Sequence, residues 1–103
     1  MVKPKEEVLQ KVLVKIMHEA SLINNLIKKI NTIVIEQNGK RAVTIKVRLG
    51  ALSHISKEHL REHFQIASKH TPSEGACLEC EISRDLSDPL AQEILLESVE
   101  VEV

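Results

Sequence analysis

Apolar residues recur along the first third of the chain at Leu9, Leu13, Ile16, Ala20, Ile23, Ile27, Ile30 and Val34. Steps alternating between four and three keep them on one helical face, so the pattern predicts one long helix, or two abutting ones, over Lys5 to Glu36. Pro4 followed by Glu6 and Glu7 is first-turn chemistry, and Asn38-Gly39 supplies a left-handed stop. From Arg41 to Leu49 the period changes to two. Val43, Ile45, Val47 and Leu49 fall on one side, and Thr44, Lys46 and Arg48 on the other, which predicts a strand with one wet face. Gly50 to Ser53 turns the chain. Ser56, three residues before His59, caps a second helix whose buried stripe is Leu60, Phe64 and Ala67; Thr71 to Gly75 ends it.

Alternation resumes from Ala76 to Ile82, with Ala76, Leu78, Cys80 and Ile82 opposite Cys77, Glu79 and Glu81. A polar link, Ser83 to Pro89, leads to a last strand over Ile94 to Val103, where Val99, Val101 and Val103 alternate with Glu100 and Glu102. Each strand has one apolar side to cover, so the expected class is α+β: a small three-stranded, largely antiparallel sheet with two helices packed on one face. A link as short as 83–89 favours antiparallel pairing of the last two strands, because a parallel crossover needs a dozen or more residues.

A chain of 103 residues supports one domain, with residues 1–16 as a helical extension of it. Lys plus Arg number 14 against 15 Asp plus Glu, so no net field draws the protein to nucleic acid or to an anionic membrane. Phe64 is the only aromatic side chain among Phe, Tyr and Trp, which removes the stacking platforms of single-strand binders and requires an aliphatic core. No apolar run reaches the length of a membrane span and the N-terminus lacks a secretory pattern, so the expected address is the cytosol. The two cysteines, Cys77 and Cys80, fit a reducing compartment.

Candidate chemistry is sparse. Cys77-Leu78-Glu79-Cys80 has zinc-knuckle spacing, but a structural zinc site needs four ligands, and a strand sends residues three apart to opposite faces. These are expected to be structural thiols, with Cys77, on the polar face, the more reactive. His59 and His63 lie four apart on the second helix, a spacing that puts two imidazoles on one face and makes them a secondary metal candidate. His54 and His70 could join them only if the fold converged all four. No nucleophile elbow and no glycine-rich phosphate cradle is present, so the chain is not expected to be an enzyme.

The stretch Met17-His18-Glu19-Ala20-Ser21-Leu22 has two readings. Within an unbroken helix, His18 would face water. Were Met17 an N-terminus, its free amine, the following amide nitrogens and the His18 imidazole could surround one ion in the square-planar, nitrogen-rich geometry that nickel(II) and copper(II) prefer.

From Met17 to Val103 the chain resembles the HypA/HybF family of hydrogenase nickel-incorporation proteins. The resemblance rests on MHEASL opening a helix, VTIKVRLGALS as strand and turn, KEHLREHFQIASKHTPSEGACLECEI as helix and strand, and LLESVEVEV as the closing strand. It implies a nickel metallochaperone for [NiFe] hydrogenase, and in some organisms urease, that works with a maturation GTPase and the hydrogenase large subunit. It also implies nickel(II) held at Met17, His18 and Glu19, with His18 giving the side-chain ligand. Family members usually carry a zinc module with two Cys-x-x-Cys pairs between the last two strands. Here the link 83–89 takes its place, so no structural zinc is expected. The alternative is a protein-interaction or regulatory module that keeps the family fold without transferring metal. An uncovered strand edge in so small a sheet would allow a homodimer.

Overall fold

The computed structural model describes residues 5–14 and 19–103. Six elements follow one another: β1 (Lys5–Val14), α1 (Glu19–Glu36), β2 (Arg41–Leu49), α2 (Lys57–Ala67), β3 (Cys77–Ile82) and β4 (Ile94–Glu102). The strands form one sheet in the order β1-β4-β2-β3. β4 runs antiparallel to both β1 and β2, and β2 runs parallel to β3. The α+β class holds, and the three expected strands and both helices are present. The sheet gains a fourth strand at one edge.

That fourth strand corrects the expected helical extension, since Lys5–Val14 is extended and α1 begins only at Glu19. The misreading has a physical origin. Val8, Leu9, Val12 and Leu13 recur in pairs four apart, and residues four apart share a face in a strand as well as in a helix. Three of the apolar residues, Val8, Val12 and Val14, are β-branched and suit an extended backbone. Deciding between the two states takes a partner edge, which β4 provides: Val8 stands opposite Val99 and Val12 opposite Leu96, with Gln10 and Lys11 together opposite Glu97 at a bulge.

Pairing of the last two strands is the second correction. β3 and β4 are not neighbours; β2 lies between them. The chain leaves β2, passes through α2 and returns as β3, the helical crossover that a parallel pair requires. β4 then lies on the far side of β2, where two nine-residue strands match in length and the six-residue β3 is left at the edge.

Both helices contribute to a single aliphatic core. α1 buries Leu22, Ile23, Leu26, Ile27, Ile30, Ile33 and Val34, a stripe wider than the one-residue-per-turn pattern first read from the sequence. Its β-branched end holds to Glu36, with Thr32 Oγ1 donating to the Lys28 carbonyl at 2.9 Å and Ile33 and Val34 anchored inside. Asn38 takes the left-handed conformation (φ 54°) and Gly39 N–H closes onto the Val34 carbonyl at 2.8 Å. Gly39 leaves no room for a side chain, because Val101 Cγ1 occupies the place a Cβ would take.

From the sheet the core receives Ile45, Val47, Leu49, Leu78, Ile94, Leu96, Val99 and Val101. Ala42 joins them in place of the expected Val43. The β2–β4 register skips Val43, with Ala42 opposite Val101 and Thr44 opposite Glu100, so the extra residue shifts the alternation by one. From α2, Leu60 and Phe64 complete the core.

Candidate functional site

Met17 and His18 lie outside the described residues. Glu19 is the first residue of α1, so the Met17-His18-Glu19 segment connects the end of β1 at Val14 to the helix. Among the described residues, the helix expected over Lys5 to Glu36 is a strand as far as Val14 and a helix from Glu19.

The second metal candidate is fully described. Ser56 caps α2, its hydroxyl accepting the His59 N–H at 3.1 Å, as the sequence led one to expect. Leu60 and Phe64 turn inward, which leaves His59 and His63 on the exposed side of the helix. Their rings meet edge to face, with centroids 5.6 Å apart and planes at 87°. The structure thus brings these two together. His54 and His70 do not converge with them: among the described residues no three of His, Cys, Asp or Glu gather closely enough to hold a metal ion. His54 (φ 58°) and His70 (φ 65°) instead mark left-handed turns before and after α2.

Cys77 and Cys80 sit on opposite faces of β3. Cys77 pairs in register with Thr44 and is exposed, whereas Cys80 pairs with Val47 and is half-buried against the core. Burial pushes the Cys80 thiol up from its ordinary value, despite the opposing pull of Arg61 and Lys57; Glu58 adds a little in the same upward direction. Cys80 therefore stays protonated at neutral pH, and neither thiol can share a metal with the other. Iodoacetamide at neutral pH should accordingly label Cys77 well ahead of Cys80 in a peptide-resolved mass-spectrometric time course. Equal rates would show that β3 leaves its place against α2 on the labelling timescale.

One feature had no clear signal in the sequence. On the face of the sheet away from the helices, Thr44, Lys46, Glu79, Ser98 and Glu100 line a shallow cleft of about 220 Å³. Beside it Arg48 lies 3.6 Å from both Glu81 and Glu97, linking β2 to its two neighbours. The wet face of each strand was legible from alternation, but the cleft depends on which strands are neighbours. Its charges largely cancel, and exposed ion pairs of this kind contribute little to stability.

Among the described residues no helix is long and apolar enough to cross a membrane. The loop joining β3 to β4, residues 83–93, contains no cysteine and no histidine.

Comparison with known proteins connects this arrangement to a lineage. The family model described as "Hydrogenase/urease nickel incorporation, metallochaperone, hypA" matches residues 17–86. The match starts at Met17 and takes in α1, β2, α2 and β3; β1 and β4, which pair with each other, lie outside it. Among curated proteins, the hydrogenase maturation factor HypA of Archaeoglobus fulgidus is 37% identical over 68 residues, 66% of this chain and 62% of that protein. The factor of the same name from Methylocella silvestris is 38% identical over 66 residues, 64% of this chain and 58% of the relative. That of Methanopyrus kandleri is 28% identical over 68 residues, 66% and 48% of the respective lengths. The matched part thus spans between about half and three-fifths of the length of these relatives. With the greater part of its length matched, from the start of the Met-His-Glu segment through β3, the chain belongs to the HypA family of hydrogenase/urease nickel-incorporation metallochaperones.

Proposed function

We propose that this protein carries nickel(II) for the maturation of [NiFe] hydrogenase or urease, taking it up at Met17-His18-Glu19 and passing it to a partner. The observation that carries the reading is the coincidence of the family match with that segment: the match begins at residue 17, and α1 begins at residue 19. The His18 imidazole is the side-chain ligand in this reading, and nitrogen donors from the adjoining backbone complete the set, as nickel(II) in a tetragonal field prefers. In the sequence as written Ile16 precedes Met17, so the Met17 nitrogen is an amide, a weaker donor than an amine until it loses its proton. The protein acts as a carrier and not as a catalyst, and its partners are a maturation GTPase and the hydrogenase large subunit.

The test is a nickel(II) titration of the full chain, followed by the d–d absorption of square-planar nitrogen ligation, with His18→Ala in parallel. The full chain should bind at micromolar concentrations, and His18→Ala should lose the absorption band. Binding that is absent from the full chain and also from a chain starting at Met17 would sink the proposal.

A second reading is favoured by two observations: the histidine- and cysteine-free loop 83–93 and the added strand β1. It holds that the domain has become an interaction module that keeps the fold without moving metal. Loss of nickel binding together with retained association to a maturation partner would select it.

A further inference from the structure

The exposed side of α2 carries a pair of groups that the nickel reading does not use. His59 and His63 are successive-turn neighbours, and their imidazole centroids stand 5.6 Å apart. In a chelate with nitrogen–metal bonds of about 2.0–2.1 Å, two cis imidazoles put their ring centroids roughly 5 Å apart. The observed separation is close to that value, and because the planes stand at 87°, closing on an ion takes a change of ring orientation on an unchanged backbone. The backbone is already committed to the required geometry: Ser56 fixes the first turn through the His59 N–H, and Leu60 and Phe64 lock the opposite side of the helix into the core.

We propose that His59 and His63 form a second site for a borderline divalent ion, nickel(II) or zinc(II), distinct along the chain from Met17–Glu19. Two imidazoles suit these ions better than hard oxygen-seeking ones such as magnesium or calcium. Since no third His, Cys, Asp or Glu gathers with any pair of described residues, water fills the remaining positions and the ion stays exchangeable. Glu58 and Glu62 immediately precede the two histidines, and Glu58, in the first turn, offsets the positive end of the helix dipole at the start of α2. Nickel as the occupant rests on the function proposed above; the site itself rests on the imidazole geometry alone.

Occupancy has a structural corollary. An ion held by residues four apart clamps two turns of α2 in the folded state only, so it raises the melting temperature by mass action. Protons compete with the metal for the same lone pairs, so loading falls on acidification.

The experiment is calorimetric titration of the full chain with nickel(II) chloride and, separately, zinc(II) chloride, compared with His18→Ala, His59→Ala/His63→Ala and the triple variant. Thermal melts with and without metal accompany each. Both histidines are exposed and the Ser56 cap uses only the backbone of His59, and the metal-free melting curve of the double variant reports how far its fold matches the parent's. The expected result is two equivalents of nickel in the full chain, one in His18→Ala, one in the double variant and none in the triple. The metal-dependent rise in melting temperature should be reduced in the double variant. If the double variant keeps the parental stoichiometry and affinity for both metals, the second site does not exist. If instead the full chain binds one equivalent that is lost in the double variant but kept in His18→Ala, the second site stands and the assignment to His18 fails.

Discussion

Truncating Phe64 to alanine should destabilise the domain by about 3–5 kcal/mol, the usual range for removing a buried phenylalanine. Folded domains of this size are stable by only about 5–15 kcal/mol, so a large fraction of the total would go with one side chain. Phe64 is the only side chain among Phe, Tyr and Trp in the sequence and is 2% exposed. Leu60 lies one turn before it in the same aliphatic core, and the Ser68 N–H closes the helix onto its carbonyl at 2.9 Å. Phe64→Leu keeps most of the volume and should cost less than about 1.5 kcal/mol. Urea denaturation curves of the parent and the two variants decide the matter. A Phe64→Ala midpoint close to that of Phe64→Leu would mean that α2 can slide to close the gap, and the picture of a fixed platform for His59 and His63 would have to be given up.

Removing residues 1–16 should have an effect of comparable size, and of a different kind. β1 meets β4 in eight registered residue pairs, from Lys5 opposite Glu102 to Val14 opposite Ile94. Cross-strand pairs contribute roughly 0.2–1 kcal/mol each, so the ladder is worth a few kcal/mol before the ordering of its own ten residues is set against it. What remains after removal is the nine-residue edge of β4, carrying unpaired backbone groups beside the buried Leu96, Val99 and Val101. Open edges of that kind pair with other chains. The shortened protein should therefore show a lower urea midpoint and concentration-dependent association in sedimentation velocity. An unchanged midpoint in a monomeric shortened chain would mean that β1 adds nothing to the sheet.

The same truncation turns the Met17 nitrogen from an amide into an amine, so under the proposed function nickel affinity and sheet integrity would change together. Proline at two adjacent positions of β1, Val8 and Leu9, removes whichever of the two backbone donors faces β4 and leaves Met17 within the chain. Comparing that variant with the truncation separates the influence of strand pairing on nickel uptake from that of the amine.

Much of this fold was legible because alternation and helical stripes are local. Ile45, Val47 and Leu49 announced β2, and the Ser56 cap followed by Leu60 and Phe64 announced α2. Two things depended on partners that local pattern does not name. Val8, Leu9, Val12 and Leu13 satisfy a strand and a helix equally, and only the edge of β4 selects the strand. Val43 looked buried until the bulge put Ala42 in its place. The neighbour of β3 was hidden for a related reason, since a short link limits how far the chain travels but not on which side of β2 it lands. For the site, the spacing of His59 and His63 was sufficient to find a pair that the folded helix keeps together. The reading of MHEASL as a nickel site came from family resemblance, because His18 is a lone imidazole in that stretch and a single histidine carries no spacing signal.

The position of β4 carries a consequence for how the protein is made. It is last in sequence yet lies between the first strand and the second. On the ribosome, β1 and β2 emerge early with no strand to join them, and the residues that unite them arrive more than forty residues after β2 is made. Pairings such as Lys5 with Glu102 close a loop of almost the whole chain, and contacts so distant in sequence slow folding. Until Ile94 to Glu102 are released from the exit tunnel, the apolar stripe of α1 has at most half a sheet to rest on. The fold is complete only once Ile94 to Glu102 have been threaded between two strands made before them.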